Sequence, residues 1–202
     1  LLLLLGFSSC SKKEEVKSKP VIIAYVGGYN GVADIEKINA NGITHINYAF
    51  VDVKDGKAFL TNEATDIVNF QKLNELKQQN PDLKILISLG GWTWSGNFSD
   101  AVLTPEGQKT FAKSCVEIMS KYDLDGIDID WEYPAMPGKE GNVYGPEDKE
   151  NYTLMFAGLR EELNAKEKES GKKYLLTTAV GGSQKFIENT QMDKVQAYLD
   201  YV

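Results

Sequence analysis

Four carboxylates, Asp125, Asp128, Asp130 and Glu132, lie in the stretch Leu124-Asp125-Gly126-Ile127-Asp128-Ile129-Asp130-Trp131-Glu132-Tyr133-Pro134. The stretch reads as a strand. Ile127, Ile129 and Trp131 alternate with Asp128, Asp130 and Glu132, and successive strand side chains point to opposite faces. One face is apolar. The other carries carboxylates spaced about 6.5 Å apart at a rise of roughly 3.3 Å per residue. Carboxylates on one buried face have raised, coupled proton affinities, which is what a proton donor needs. The plainer alternative is an edge strand with a solvated acidic face. Like charges in a row repel, so the run calls for a reason. A parallel, helix-covered sheet also buries both faces. Metal chemistry has less support. A calcium loop with Gly126 at its sixth position would begin at Lys121, which cannot ligate. The spacing alone is compatible with magnesium, but no His or Cys accompanies it to suggest a transition metal.

The elements around this strand alternate. Val21 to Val26 reads as a strand, Ala33 to Ala40 as a short helix closed by Asn41-Gly42, and Ile43 to Val53 as the second strand. Asp66 to Gln79 reads as a helix with Ile67, Phe70, Leu73 and Leu76 inward, ended by Asn80-Pro81. Leu83 to Leu89 is the third strand. A helix opens at Thr104-Pro105, a cap followed by proline, and turns Phe111, Cys115, Ile118 and Tyr122 inward. The acidic strand is the fourth. After a Pro/Gly-rich loop, Ala135 to Pro146, a helix over about Glu147 to Glu169 buries Tyr152, Phe156, Leu159 and Leu163. Tyr174 to Val180 is the fifth strand, Met192 to Ala197 a weaker helix, and Leu199 to Val202 the start of a sixth strand. This alternation predicts a parallel α/β sheet, either doubly wound or closed into a barrel. A dinucleotide fold would open its first helix with a Gly-rich fingerprint, and Gly27-Gly28-Tyr29-Asn30-Gly31 is not one.

The 202 residues suffice for a domain with a real core, and the 42% hydrophobic and 25% charged contents are globular values. A net charge of −7 disfavours nucleic acid and anionic membrane surfaces as partners. Leu1 to Leu5 reads as the end of a signal peptide's apolar region. Phe7-Ser8-Ser9-Cys10 resembles a bacterial lipoprotein cleavage site with Cys10 as the lipidated residue, although Phe7 and Ser9 depart from the usual pattern. The polar stretch Ser11 to Pro20 would be the tether. Residues 1–19 are thus expected to be leader and tether, and 20–202 the N-terminal part of the α/β domain. The protein is expected to be exported, held at the bacterial envelope by lipid or else secreted, and monomeric. Its only contact with a membrane would be that anchor. A disulfide between Cys10 and Cys115 is not expected, since one lies in a tail and the other in a helix.

Chemistry in a parallel barrel sits at the C-terminal ends of strands. Those ends are Tyr25, Phe50, the Gly90-Gly91-Trp92 corner, Asp130-Glu132-Tyr133 and Ala179. Glycines at 90 and 91 let a ligand approach the backbone, and Trp92 could stack on a sugar.

On these residues the chain resembles glycoside hydrolase family 18, the chitinase-like enzymes. The D-x-x-D-x-D-x-E signature is present as Asp125, Asp128, Asp130 and Glu132, and continues through Trp131 and Tyr133-Pro134. The S-x-G-G motif is Ser88, Gly90 and Gly91, and Asn47-Tyr48-Ala49-Phe50 resembles the family's second strand. The resemblance spans about Val21 to Val202. It implies a TIM (β/α)8 barrel, carried here as far as five strands and the start of a sixth. It also implies endo-acting, retaining hydrolysis of β-1,4-linked N-acetylglucosamine, chitin or chitooligosaccharides, by substrate-assisted catalysis and without cofactor or metal. By carry-over, Glu132 is the proton donor, Asp130 orients the substrate's acetamido group, and Asp128 holds Asp130. Asp125, Ser88 and Gly90 support the site. Tyr25, Phe50, Gly91, Trp92, Tyr133 and Ala179 line the sugar subsites. Two alternatives stand beside this reading: an endo-β-N-acetylglucosaminidase acting on N-glycans, and a non-catalytic chitin-binding lectin of the same fold. The presence of Glu132 argues against the lectin.

Overall fold

The computed structural model describes residues 20–202. The lipidation expectation for Cys10, with its leader and tether, lies outside the described residues. Six strands are present: β1 (Ile23–Gly27), β2 (His45–Lys54), β3 (Lys57–Phe59), β4 (Lys84–Gly90), β5 (Gly126–Asp130) and β6 (Leu175–Thr178). The helices are α1 (Glu63–Glu75), α2 (Gly91–Trp94), α3 (Phe98–Ala101), α4 (Pro105–Lys121), α5 (Asp148–Ser170), α6 (Gln184–Glu188) and α7 (Met192–Val195). Five strands pair in parallel in the order β1-β2-β4-β5-β6, and β3 folds back antiparallel on β2. Beyond β6, Tyr201 makes a single parallel bridge to Thr177, where the sixth parallel strand is expected to begin.

Each strand of the sheet has an apolar outer face. Ile85, Ile87 and Leu89 of β4 and Ile127 and Ile129 of β5 are buried against the helices, together with Phe70, Phe111, Cys115, Tyr152, Phe156 and Leu159. Trp131 belongs to this layer, stacked on Phe98 with ring centroids 5.2 Å apart. The apolar half of the acidic stretch therefore faces the helices, which leaves its carboxylates on the inner face. Helix ends follow local chemistry. Thr104 accepts the Gly107 N–H at 3.1 Å with Pro105 next to it, and α5 ends at Gly171 in the left-handed region, φ 71°. Among the described residues, no helix is long and apolar enough to cross a membrane.

Several expectations are corrected. Ala33 to Ala40 is not a helix but two short 3-10 turns, Ile35–Lys37 and Ala40–Gly42. The Asn39 side chain accepts the Asn41 N–H and so competes with helical pairing. Ile67, expected inward, is 41% exposed, whereas Phe70, Leu73 and Leu76 are buried as expected. The β2–β3 hairpin was legible but unread. It turns on Asp55-Gly56, both at positive φ, the strongest short-range hairpin signal. Strand β6 is shorter than Tyr174 to Val180. Helices α2, α3 and α6 were not anticipated, because four- and five-residue helices are too short to show a period.

Candidate active site

The inner face of the sheet is small and polar where the outer face is apolar. Parallel register sets Ala49, Ser88, Asp128 and Thr177 side by side across β2, β4, β5 and β6. Asp128 is buried and gathers hydroxyl donors from three strands. Ser88 Oγ donates to Asp128 Oδ2 at 2.7 Å, Tyr25 Oη donates to Oδ2 at 3.0 Å, and Thr177 Oγ1 donates to Oδ1 at 2.5 Å. Tyr25 stands one register step lower, and the small Gly27 and Ala49 beside Ser88 leave its hydroxyl a path across. Burial pushes the Asp128 carboxyl up, and these donors only partly offset it.

Asp130 sits one step toward the strand end, level with Gly90. Burial first, then the neighbouring charges of Glu132 and Asp128, push it up to about 7. No hydrogen bond from a described residue counters that shift. Gly90 has φ 111°, and a Cβ there would lie 2.4 Å from the Asp130 carbonyl oxygen, so the corner requires glycine. Glu132 lies just past β5 and is half-buried. Burial raises its proton affinity, opposed by a hydrogen bond from the Trp92 backbone. Ser95 Oγ ties the corner to the strand end. It lies 2.9 Å from both the Gly91 and the Asp130 carbonyl oxygens and accepts the Glu132 N–H at 3.4 Å.

The expected subsite residues separate. Trp92 is 55% exposed beside Glu132 and can offer a ring face. Phe50 packs against Gly91, where a Cβ would come within 2.7 Å of the Phe50 ring. Tyr133, expected in a subsite, is 2% exposed, its hydroxyl donates to the Trp92 carbonyl at 2.9 Å, and it packs edge-on to Trp92. It braces Trp92 and presents no face of its own. Tyr25 is only half a platform, because its hydroxyl is committed to Asp128 although the residue is 49% exposed. Ala179 extends the β5–β6 ladder by donating its N–H to the Ile129 carbonyl at 3.1 Å. Asp125 lies at the other end of β5, among Lys77, Lys172 and the Ile85 N–H.

Thr177 and Ser95 were missed, as was the buried Asn47, whose Oδ1 has no hydrogen-bond partner among the described residues. Thr177 could have been found from the alternation of β6, because it stands two residues before the strand-end position assigned to Ala179. Ser95 could not, since only the corner geometry brings it to Glu132. Among the described residues no three His, Cys, Asp or Glu side chains converge as metal ligands. His45, at the start of β2, lies 2.7 Å from Thr44 Oγ1 and packs edge-on to Tyr201.

Buried carboxylates at strand ends beside an exposed indole form a site for acid catalysis on a flat, polar ligand. Chitinase A1 of Niallia circulans is 38% identical over 228 residues, covering 91% of this chain and 32% of its own length. A chitinase of Bacillus thuringiensis superposes with a TM-score of 0.84 at 32% identity, over 90% of this chain and 38% of that one. A family 18 N-acetylglucosaminidase from Paenibacillus barengoltzii does so at 0.80 and 37% identity, over 91% and 52%. The chain spans about a third of the length of the curated relatives it matches. The profile described as Glycosyl hydrolases family 18 matches residues 21–202, and with these strands forming part of a TIM barrel, the chain belongs to that family.

Proposed function

We propose that this chain carries the acidic strands of an endo-acting, retaining hydrolase of β-1,4-linked N-acetylglucosamine, with chitin or chitooligosaccharides as substrate. Glu132 protonates the glycosidic oxygen as the bond to the anomeric carbon breaks. The oxygen of the substrate's own acetamido group closes on that carbon, so configuration is retained through an oxazolinium. Glu132, now a carboxylate, then takes a proton from the water that opens the ring. Asp130 accepts the acetamido N–H, aims the oxygen and faces the positive charge that develops. Trp92 stacks on a sugar beside the cleaved bond. The observation that carries this reading is the contrast between two adjacent acids. Asp128 is saturated by hydroxyl donors, whereas Asp130 is left open and poised near 7, beside Glu132.

The test is Glu132→Gln in the whole protein. Gln keeps the shape but has no proton to donate, so binding should persist while turnover of chitohexaose falls by about 10²–10⁴-fold. Turnover within tenfold of wild type would remove Glu132 from this role. The relative described as an N-acetylglucosaminidase favours a second reading, release of single sugars. Internal cleavage products from chitohexaose would support the first, and monosaccharide alone the second. Cleavage of N-glycan cores in preference to chitohexaose would favour the endo-β-N-acetylglucosaminidase. The anchor is a proposal of the same kind: mass spectrometry of the membrane fraction should find an acylated Cys10 at the mature N-terminus.

A further inference from the structure

The backbone around Glu132 is gripped on both sides by consecutive residues of one short helix. On the N-terminal side, Phe98 of α3 stacks on Trp131, 5.2 Å between centroids and 12° between planes. On the C-terminal side the link runs through Asp148, in the first turn of α5 and 1% exposed. Its Oδ1 accepts the hydroxyl of Ser99, the next residue of α3. Its Oδ2 accepts the Ala135 N–H at 3.0 Å and the Gly145 N–H at 3.1 Å. One carboxylate therefore closes both ends of the loop that leaves the active-site strand. Ala135 is a non-glycine residue in the left-handed region, φ 56°, at the third position of a turn closed by the Met136 N–H to the Tyr133 carbonyl at 3.1 Å. Such a conformation persists where its surroundings over-determine it. Asp148 supplies that constraint three residues after Glu132.

We infer that Asp148 is a positioning residue for the proton donor: it sets the exit angle of the chain after Glu132 and thereby where the Glu132 carboxylate points. The inference rests on the proton-donor role proposed for Glu132. A misplacement of about 1 Å can cost on the order of 10²-fold in rate. The geometry sets three variants apart. Asp148→Asn keeps an oxygen for the two N–H groups, and the Ser99 hydroxyl can reverse to accept from the new amide. Asp148→Glu keeps the charge and moves it outward by one methylene. Asp148→Ala leaves the Ser99 hydroxyl and the Ala135 and Gly145 N–H groups without their partner.

The experiment compares two substrates in the whole protein: chitotetraose, whose sugar leaving group needs a proton, and a dinitrophenyl chitobioside, whose leaving group does not. A loss of folded enzyme lowers both rates equally, whereas a misplaced donor lowers the first far more than the second, which needs Glu132 only as the base of the ring-opening step. We expect Asp148→Glu and Asp148→Ala to lose about 10²-fold in kcat on chitotetraose and under about tenfold on the dinitrophenyl substrate. Asp148→Asn should stay within about threefold of wild type on both. Ser99→Ala, the variant least exposed to misfolding, should show the same selective loss in smaller measure. Equal losses on the two substrates, no loss in any variant, or Asp148→Asn as damaging as Asp148→Ala would overturn the inference. Glu132→Gln, run alongside, separates the two readings: if it shows no selective loss, the proton-donor role fails first.

Discussion

The two ends of β5 hold the same kind of side chain in opposite electrostatic states. At the start, Asp125 is buried with Lys77 Nζ at 2.7 Å from one carboxylate oxygen and Lys172 Nζ at 3.0 Å from the other. It also accepts the Ile85 N–H at 2.9 Å, which ties β5 to β4. Burial alone would push Asp125 up, but the two lysines and this N–H outweigh it and hold it below the usual carboxylate range. At the far end, Asp128, Asp130 and Glu132 are all pushed up, with burial first among the causes, and no lysine or arginine pulls any of them back. Burial is common to both ends. Counter-charge is what differs, so one end of the strand serves stability and the other holds its protons more tightly than free carboxyls do.

The largest expected break in this contrast is Asp130→Asn. On the proposed mechanism it removes the anion nearest the developing positive charge, and turnover of chitooligosaccharides should fall by about 10²–10³-fold, with weaker inhibition by an oxazoline mimic. Unchanged inhibition would take Asp130 out of that role. Next comes Asp125→Asn, the same chemical change at the other end. It takes the shared carboxylate from two lysines, both partly exposed and able to regain water, and Lys172 keeps only the Asp123 carboxylate at 3.3 Å, so the loss should be about 2–3 kcal/mol in urea unfolding. The activity of the folded fraction should not change. A loss below about 0.5 kcal/mol would show that Asp125 does not anchor the sheet.

The pH dependence sharpens the comparison because the signs oppose. Asp125 is depressed in the fold, so its contribution is present above the unfolded value of 3.8 and is lost as pH falls through its lower folded value. Asp130 is raised from 3.8 to about 7, so between those values the native state binds more protons than the unfolded chain. Stability from this group therefore declines as pH rises through that window. Asp130→Asn should accordingly stabilise the protein at pH 8 by about 1–2 kcal/mol, as functional acids often do when neutralised. Thermal unfolding at pH 8 checks it, and destabilisation there would contradict the assignment of Asp130 as a burdened charge. The smallest effect belongs to an ion pair outside both clusters. Lys121 and Glu63 pair at 3.2 Å with both side chains mostly exposed, so Lys121→Ala should leave the urea midpoint indistinguishable from wild type.

The parallel strands were legible because their outer faces are runs of Ile, Val and Leu, and the long helices because their apolar residues recur at helical spacing. The acid strand was legible down to the side chain. Strict alternation in Gly126 to Glu132 leaves only one way to send Ile127, Ile129 and Trp131 into the core. Short elements were not legible. Helix α3 spans only Phe98–Ala101, too few residues for a period, yet it supplies both contacts that bracket Glu132. The Ala33 to Ala40 expectation failed for a related reason, since two isoleucines suggest a face but cannot outcompete the local bond of Asn39.

The sequence by itself determined which acids share one face of the stretch through β5, because alternation in a strand is a property of the covalent chain. Only the tertiary structure decided what each carboxylate does. Asp125 and Asp128 are the same residue type three positions apart, but one meets lysines from the turn after α1 and from the turn before β6, and the other meets hydroxyls of Tyr25, Ser88 and Thr177. Proton affinity depends on distance through space to charges and donors, and on exclusion of water. Those distances are set when β1, β2, β4, β5 and β6 pair in register, and no local pattern in the chain encodes them.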